Sequence, residues 1–132
     1  MATTTPKLPP AFAPLEEYIA WALPTETQRL HRRETATLAE IRGFYDAMLP
    51  QVDAIVAHFR AADVAAAAGT PVPPETQRLF TLMLAFADAS LSIELHRSPG
   101  VPDGMAWDLW KPEHETPGWQ QKTRIRLFPA AA

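Results

Sequence analysis

PETQRLFTLMLAFADASLSIELH, residues 74–96, is the stretch that decides the fold. On a helical wheel Leu79, Leu82, Met83, Phe86 and Ile93 line one face, and Phe80, Leu84, Ala87 and Leu91 widen it into an apolar arc of roughly 220°. The polar remainder is a strip of Arg78, Thr81, Asp88, Ser92 and His96. A helix this apolar needs neighbours on at least two sides, from its own chain or from a second copy.

Upstream, the pattern supplies three such neighbours. Residues 50–68 form a helix with Val52, Ile55, Val56, Phe59 and Ala62 on one face, and an alanine-rich end that stops at Gly69. Residues 25–48 read as one long helix: Thr25 is the N-cap, Gln28 completes a capping box, and Leu30, Leu38, Ile41, Phe44, Tyr45 and Met48 recur at helical spacing. Gly43 falls near the back of that helix, where it would let another backbone approach. Pro50 separates the two, because proline removes a helical donor and crowds the preceding turn. A short helix over 14–22 begins on Pro14 and carries Glu16 and Glu17 where the helix dipole favours negative charge. It shows a narrow stripe of Leu15, Ile19 and Leu23, with Tyr18 and Trp21 pointing elsewhere.

The pentapeptide Glu-Thr-Gln-Arg-Leu occurs at 26–30 and again at 75–79, each time just after a proline. The similarity fades at once, so it reads as the same helix-start signal used twice rather than as a duplication.

Past His96 the character changes. The segment from Ser98 onward carries three of the four tryptophans and many of the prolines, a composition unlike that of a linker. The sequence therefore predicts an all-α fold: an antiparallel bundle of about four helices, the first one short, with an irregular Pro/Trp-rich C-terminal arm. Residues 1–11 form a flexible N-terminal arm, 12–97 the bundle, and 98–132 an arm packed on the bundle or on a partner, within a single domain.

Composition narrows the function. At 132 residues the chain is long enough to bury a core without staples, and its 47% hydrophobic content and net charge of −3 give no electrostatic case for nucleic acid or an anionic membrane. There is no cysteine, which excludes a disulfide framework, a thiolate metal site and a cysteine nucleophile. The N-terminal MATTTPKLPPAFAP resembles neither a signal nor a transit peptide, and Asp88 and Glu94 interrupt the most apolar stretch, so a cytoplasmic protein that does not span a membrane is expected. No glycine-rich phosphate loop, nucleophile elbow, paired-histidine zinc helix or calcium loop is present.

The remaining chemical signals are ionisable residues that interrupt apolar stripes. Glu34 lies between Leu30 and Leu38, with His31 one turn earlier. Glu94 breaks the arc of the 74–96 helix near its C-terminal end, where negative charge opposes the dipole. Asp63 falls in line with Val52, Val56 and Phe59. Such carboxylates need a partner or a wet cavity. A di-metal carboxylate site is disfavoured, because the chain offers a reversed His31-x-x-Glu34 instead of two Glu-x-x-His pairs. His58 as a haem ligand, and a small site formed by Glu113, His114 and Glu115, are weaker still. No cofactor or metal is expected.

Two functional readings follow. The first is a helical protein acting by association, as a homodimer or an accessory subunit of a larger assembly. The second is a small-molecule-binding bundle or enzyme, with a pocket for a small apolar or aromatic ligand lined by Glu34, His31, Tyr45 and Glu94 and closed by Trp107 and Trp110. A cavity of roughly 300 Å³ or more lined by Glu34, Tyr45 and Trp side chains favours the second, and an exposed apolar patch on a packed core favours the first.

Overall fold

Prolines at positions 9, 10 and 14 set how the chain enters the fold. In the computed structural model, which describes residues 7–106, 108 and 109, Pro10–Trp21 forms a 3-10 helix rather than the expected α-helix over 14–22. The backbone kinks at Phe12, and beyond it three residues per turn align Leu15, Tyr18 and Trp21. Phe12, Leu15 and Trp21 are accordingly buried, and Tyr18 packs beside them. The stripe expected at α-helical spacing, with Tyr18 and Trp21 pointing away, is thus corrected by the tighter winding. Glu16 Oε1 accepts hydrogen bonds from the backbone N–H of Lys7 at 2.8 Å and of Leu8 at 3.0 Å. The bonds from Leu8 and Lys7 hold the Glu16 carboxyl below its usual range. They fold residues 7 and 8 back onto the helix, and Leu8 is fully buried although it was expected in the arm.

The segment expected as one helix over 25–48 is two. The first, α1, spans Glu26–Thr35, and the second, α2, spans Leu38–Met48. Ala36 and Thr37 between them are extended. The physical reason is a second capping box: Thr37 accepts from the Glu40 N–H at 3.2 Å, and Glu40 Oε2 accepts from the Thr37 N–H at 3.0 Å. Those bonds satisfy helix-start groups that a continuous helix would pair internally, so the chain turns and restarts. The break releases α1, a mostly hydrophilic helix, from the direction of the apolar α2. Gly43 faces open space, and among the described residues no backbone approaches it.

A 3-10 turn, Leu49–Gln51, leads into α3, Val52–Ala67, which ends before Gly69 at a φ of 99° that suits glycine. The last α-helix, α4, spans Pro74–Ser90 and continues as a π-helical segment, Leu91–His96. Arg97 stops it in the left-handed region, and Ser98 returns a backbone hydrogen bond to the Ser92 carbonyl at 3.1 Å. The two copies of Glu-Thr-Gln-Arg-Leu start their helices differently: Thr25 caps α1 through its side chain, whereas α4 begins after Pro73 with no side-chain cap.

The bundle is organised around α4, which packs against α1, α2, α3 and the N-terminal 3-10 helix. Its inward residues Leu79, Leu82, Ala85, Phe86, Ala89 and Ile93 meet Ile41, Phe44, Tyr45 and Met48 of α2 and Ile55 of α3 in one core. Trp21 stacks on Phe44 with ring centroids 4.8 Å apart and planes 9° apart, sealing the core beneath the 3-10 helix. The polar strip of α4 is covered towards its C-terminal end, while Arg78 stays exposed. Arg33 of α1 donates to the Asp88 carbonyl at 3.2 Å, and Ser92 is buried with its hydroxyl bonded to the Pro99 carbonyl at 2.9 Å.

Candidate functional site

Half of the apolar arc of α4 is spent on the core. The other half faces out: Phe80, Leu84, Ala87, Leu91 and Leu95 are all exposed, with Phe80 at 53% and Leu95 at 68%. Spacings of four, three, four and four residues place them in one line, the arrangement of an interhelical seam. The i→i+5 winding after Ser90 keeps Leu91 and Leu95 on that line. An exposed apolar row of this kind is a candidate interaction surface. At its Phe80 end the ridge runs into an open groove of about 560 Å³ between α3 and α4, lined in part by Phe59, Asp63, Val72 and Thr76. Phe59 meets Phe80 edge-on at 5.7 Å, which fixes the floor of the groove.

By length and composition Pro74–His96 would also suffice to cross a membrane. The same test is passed by core helices, and the inward face of this one is already committed to the bundle.

The residues singled out from sequence fall in separate places. Tyr45 and Glu94 do meet: the Tyr45 hydroxyl donates to Glu94 Oε1 at 2.5 Å, and Tyr45 stacks on Phe86 at 5.5 Å. Its hydroxyl pKa is pushed up by that hydrogen bond first, then by burial and by the negative charges of Glu94 and Asp46. The pair ties α2 to the π-helical end of α4 and leaves the rest of Glu94 in solvent. Glu34 lies elsewhere, in a depression of about 270 Å³ lined by Glu26, Leu30, Arg33, Val101, Gly104 and Met105. Its carboxylate contacts the Arg33 guanidinium at 3.4 Å, and a side chain on Gly100 would touch it. His31 is exposed, and its backbone carbonyl accepts from the Thr35 hydroxyl at 2.7 Å. Trp107 and Trp110 lie outside the described residues, as does the Glu113, His114, Glu115 cluster. Among the described residues no three His, Asp or Glu side chains converge as metal ligands. His58 bonds Thr76 at 2.9 Å and packs edge-on to Phe12, which ties α3 to α4 and to the N-terminal helix.

Glu34 is thus half of an ion pair between chain neighbours, with its side chain 15% exposed. Its partner Arg33 is buried as well, so removing the Glu34 charge leaves that guanidinium with less compensation. Replacing Glu34 with Gln, which keeps an acceptor for Arg33, is expected to cost about 1–2 kcal/mol in a denaturant melt, less than the ~3–5 kcal/mol lost on breaking a fully buried pair.

The ridge residues Phe80, Leu84, Ala87 and Leu91 were legible as an arc too wide for one set of neighbours, but Leu95 was not included. Its signal is the four-residue step from Leu91. No protein-family model matches the chain, and neither the curated proteins nor the solved structures contain a significant match.

Proposed function

We propose that this protein acts by association, as a homodimer joined through the outer face of α4. The observation that supports this is the exposed row Phe80, Leu84, Ala87, Leu91 and Leu95 on a helix whose opposite face anchors the core. A seam built on the central helix is held rigid from behind, so little is lost in ordering it on binding. The pocket reading has less behind it: the depression at Glu34 is small, and Tyr45 and Glu94 pair with each other rather than line it.

Light scattering at micromolar concentration is expected to give twice the 14.6 kDa chain mass. The double substitution Leu84→Glu, Leu91→Glu is expected to give a monomer with unchanged helical circular dichroism, because both side chains are already exposed in the single chain. A wild-type monomer at that concentration, or a monomer that floats with phosphatidylcholine vesicles, would show that the ridge does not serve a second copy.

A further inference from the structure

The ridge is close to palindromic. Counted in residues, Phe80 and Leu95, and likewise Leu84 and Leu91, are symmetric about a point between Ala87 and Asp88. We propose, on the basis of the association reading above, that two copies pair antiparallel across a two-fold axis at Ala87, each seating Leu95 in the partner's Phe80 groove with Arg97 facing Asp63 across it.

Three features favour this arrangement over a parallel one. The first is size. An antiparallel two-fold sets Ala87 against Ala87, so the smallest side chain of the row sits where the helices cross and lets them approach closely. The bulky ends then fall in register, Phe80 against Leu95 and Leu84 against Leu91. A parallel pair would instead set Phe80 on Phe80 at one end and Leu95 on Leu95 at the other.

The second feature is shape. Leu95 is the most exposed of the large side chains on the row, and the groove beside Phe80 measures about 560 Å³. One helix carries the projection at one end and the recess at the other. A two-fold axis through its middle satisfies both at once, which is the self-complementarity that a closed dimer requires.

The third is charge. The outward row itself carries no cation, but Arg97 is exposed just past its C-terminal end and Asp63 is exposed on the groove at the other end. An antiparallel pair brings the guanidinium of one copy level with the carboxylate of the other, twice. A parallel pair would place Arg97 beside Arg97 and Asp63 beside Asp63, and like-charge juxtaposition of that kind selects against an alignment.

The chain has no native cysteine, so single introduced thiols report the geometry without background. Under mild oxidation Ala87→Cys is expected to form a disulfide-linked dimer, because the axis brings that position onto its own copy. A mixture of Leu84→Cys and Leu91→Cys proteins is expected to cross-link to each other, while Leu95→Cys alone stays uncross-linked. In the same protein, Asp63→Arg or Arg97→Asp is expected to weaken the dimer about tenfold by sedimentation, and the two changes together to restore it. Aspartate at 97 remains compatible with the left-handed backbone there.

Self-cross-linking of Leu95→Cys as fast as that of Ala87→Cys would show a parallel pair and overturn this geometry while leaving association intact. A dimer in which none of these thiols links, or in which the charge exchange does not restore affinity, would likewise place the interface elsewhere. A wild-type monomer in light scattering would remove the association reading itself.

Discussion

Replacing Phe44 with Ala is expected to destabilise the bundle by about 3–5 kcal/mol, a large part of what holds a domain of this size together. Phe44 is fully buried in α2. One side of its ring stacks on Trp21 at 4.8 Å and another meets Tyr18 at 5.7 Å, so truncation opens a cavity exactly at the junction of α2 with the N-terminal 3-10 helix. That segment is wound in 3-10 turns, whose internal hydrogen-bond geometry is poor, and is kinked at Phe12, so it depends on the packing of Phe12, Leu15 and Trp21. Because Trp21 loses its stacking partner, its fluorescence should shift to the red even in the fraction that stays folded. The conservative change Phe44→Leu should lose only a part of this, because most of the volume is kept. Urea denaturation of the three proteins measures the difference. A loss below about 1 kcal/mol for Phe44→Ala would show that the 3-10 helix and α2 are not packed through this ring.

The elements were legible wherever local chemistry and burial agreed. α3 and α4 follow their stripes because the apolar period and the helix-start signals point the same way. Sequence and structure part where the apolar period runs across a boundary that a capping box draws. Thr37-x-x-Glu40 is a capping box as good as Thr25-x-x-Gln28, yet the apolar spacing of Leu30, Leu38 and Ile41 suggests continuity across it. The break at Ala36 in turn removes Glu34 from any common stripe with Tyr45, which is why the expected pocket divides into an ion pair at Arg33 and a hydrogen bond at Glu94. In the N-terminal helix the winding was misjudged. An i, i+3 row of Leu15, Tyr18 and Trp21 stands in the sequence, but it aligns as a unit only at three residues per turn. The outward row of α4 was visible as excess apolar width. Which half of that arc faces the core depends on tertiary packing, and no helical wheel contains it.

The charges between α1 and α4 carry the other large effect. Arg33 is buried, with one Nη donating to the Asp88 carbonyl at 3.2 Å, the other 3.4 Å from Glu34, and Nε without a hydrogen-bond partner. Arg29 beside it also has a buried Nε without one, while its Nη1 donates to the Leu23 carbonyl at 2.9 Å. The half-buried Asp88 carboxyl is pushed above its ordinary value by desolvation, against the pull of Arg33 and Arg29. Its ionised form therefore weakens the fold at neutral pH. Asp88→Asn is expected to stabilise the protein there. Because the folded-state pKa lies above the unfolded one, that advantage exists above the folded value and disappears as pH falls through it towards the unfolded value, where wild-type Asp88 binds its proton. Arg33→Met alone behaves in the opposite way, since it leaves Asp88 with less compensation. A loss of about 1–2 kcal/mol is expected, less than breaking a fully buried pair costs, because Asp88 is partly solvated and Arg29 remains. Made together, the two substitutions remove a guanidinium with an unsatisfied Nε and a partly desolvated carboxylate, while Glu34 loses its ion-pair partner. Because Asp88 lacks the compensating charge of Arg33 in that background, Asp88→Asn is expected to gain more stability in Arg33→Met than in wild type. The departure of the double variant from the sum of the two single ones is the measure of coupling. Thermal and urea melts of all four proteins at pH 7, repeated near pH 4, measure it. Additive effects of the two substitutions would show that Arg33 and Asp88 do not sense each other across the α1 and α4 contact.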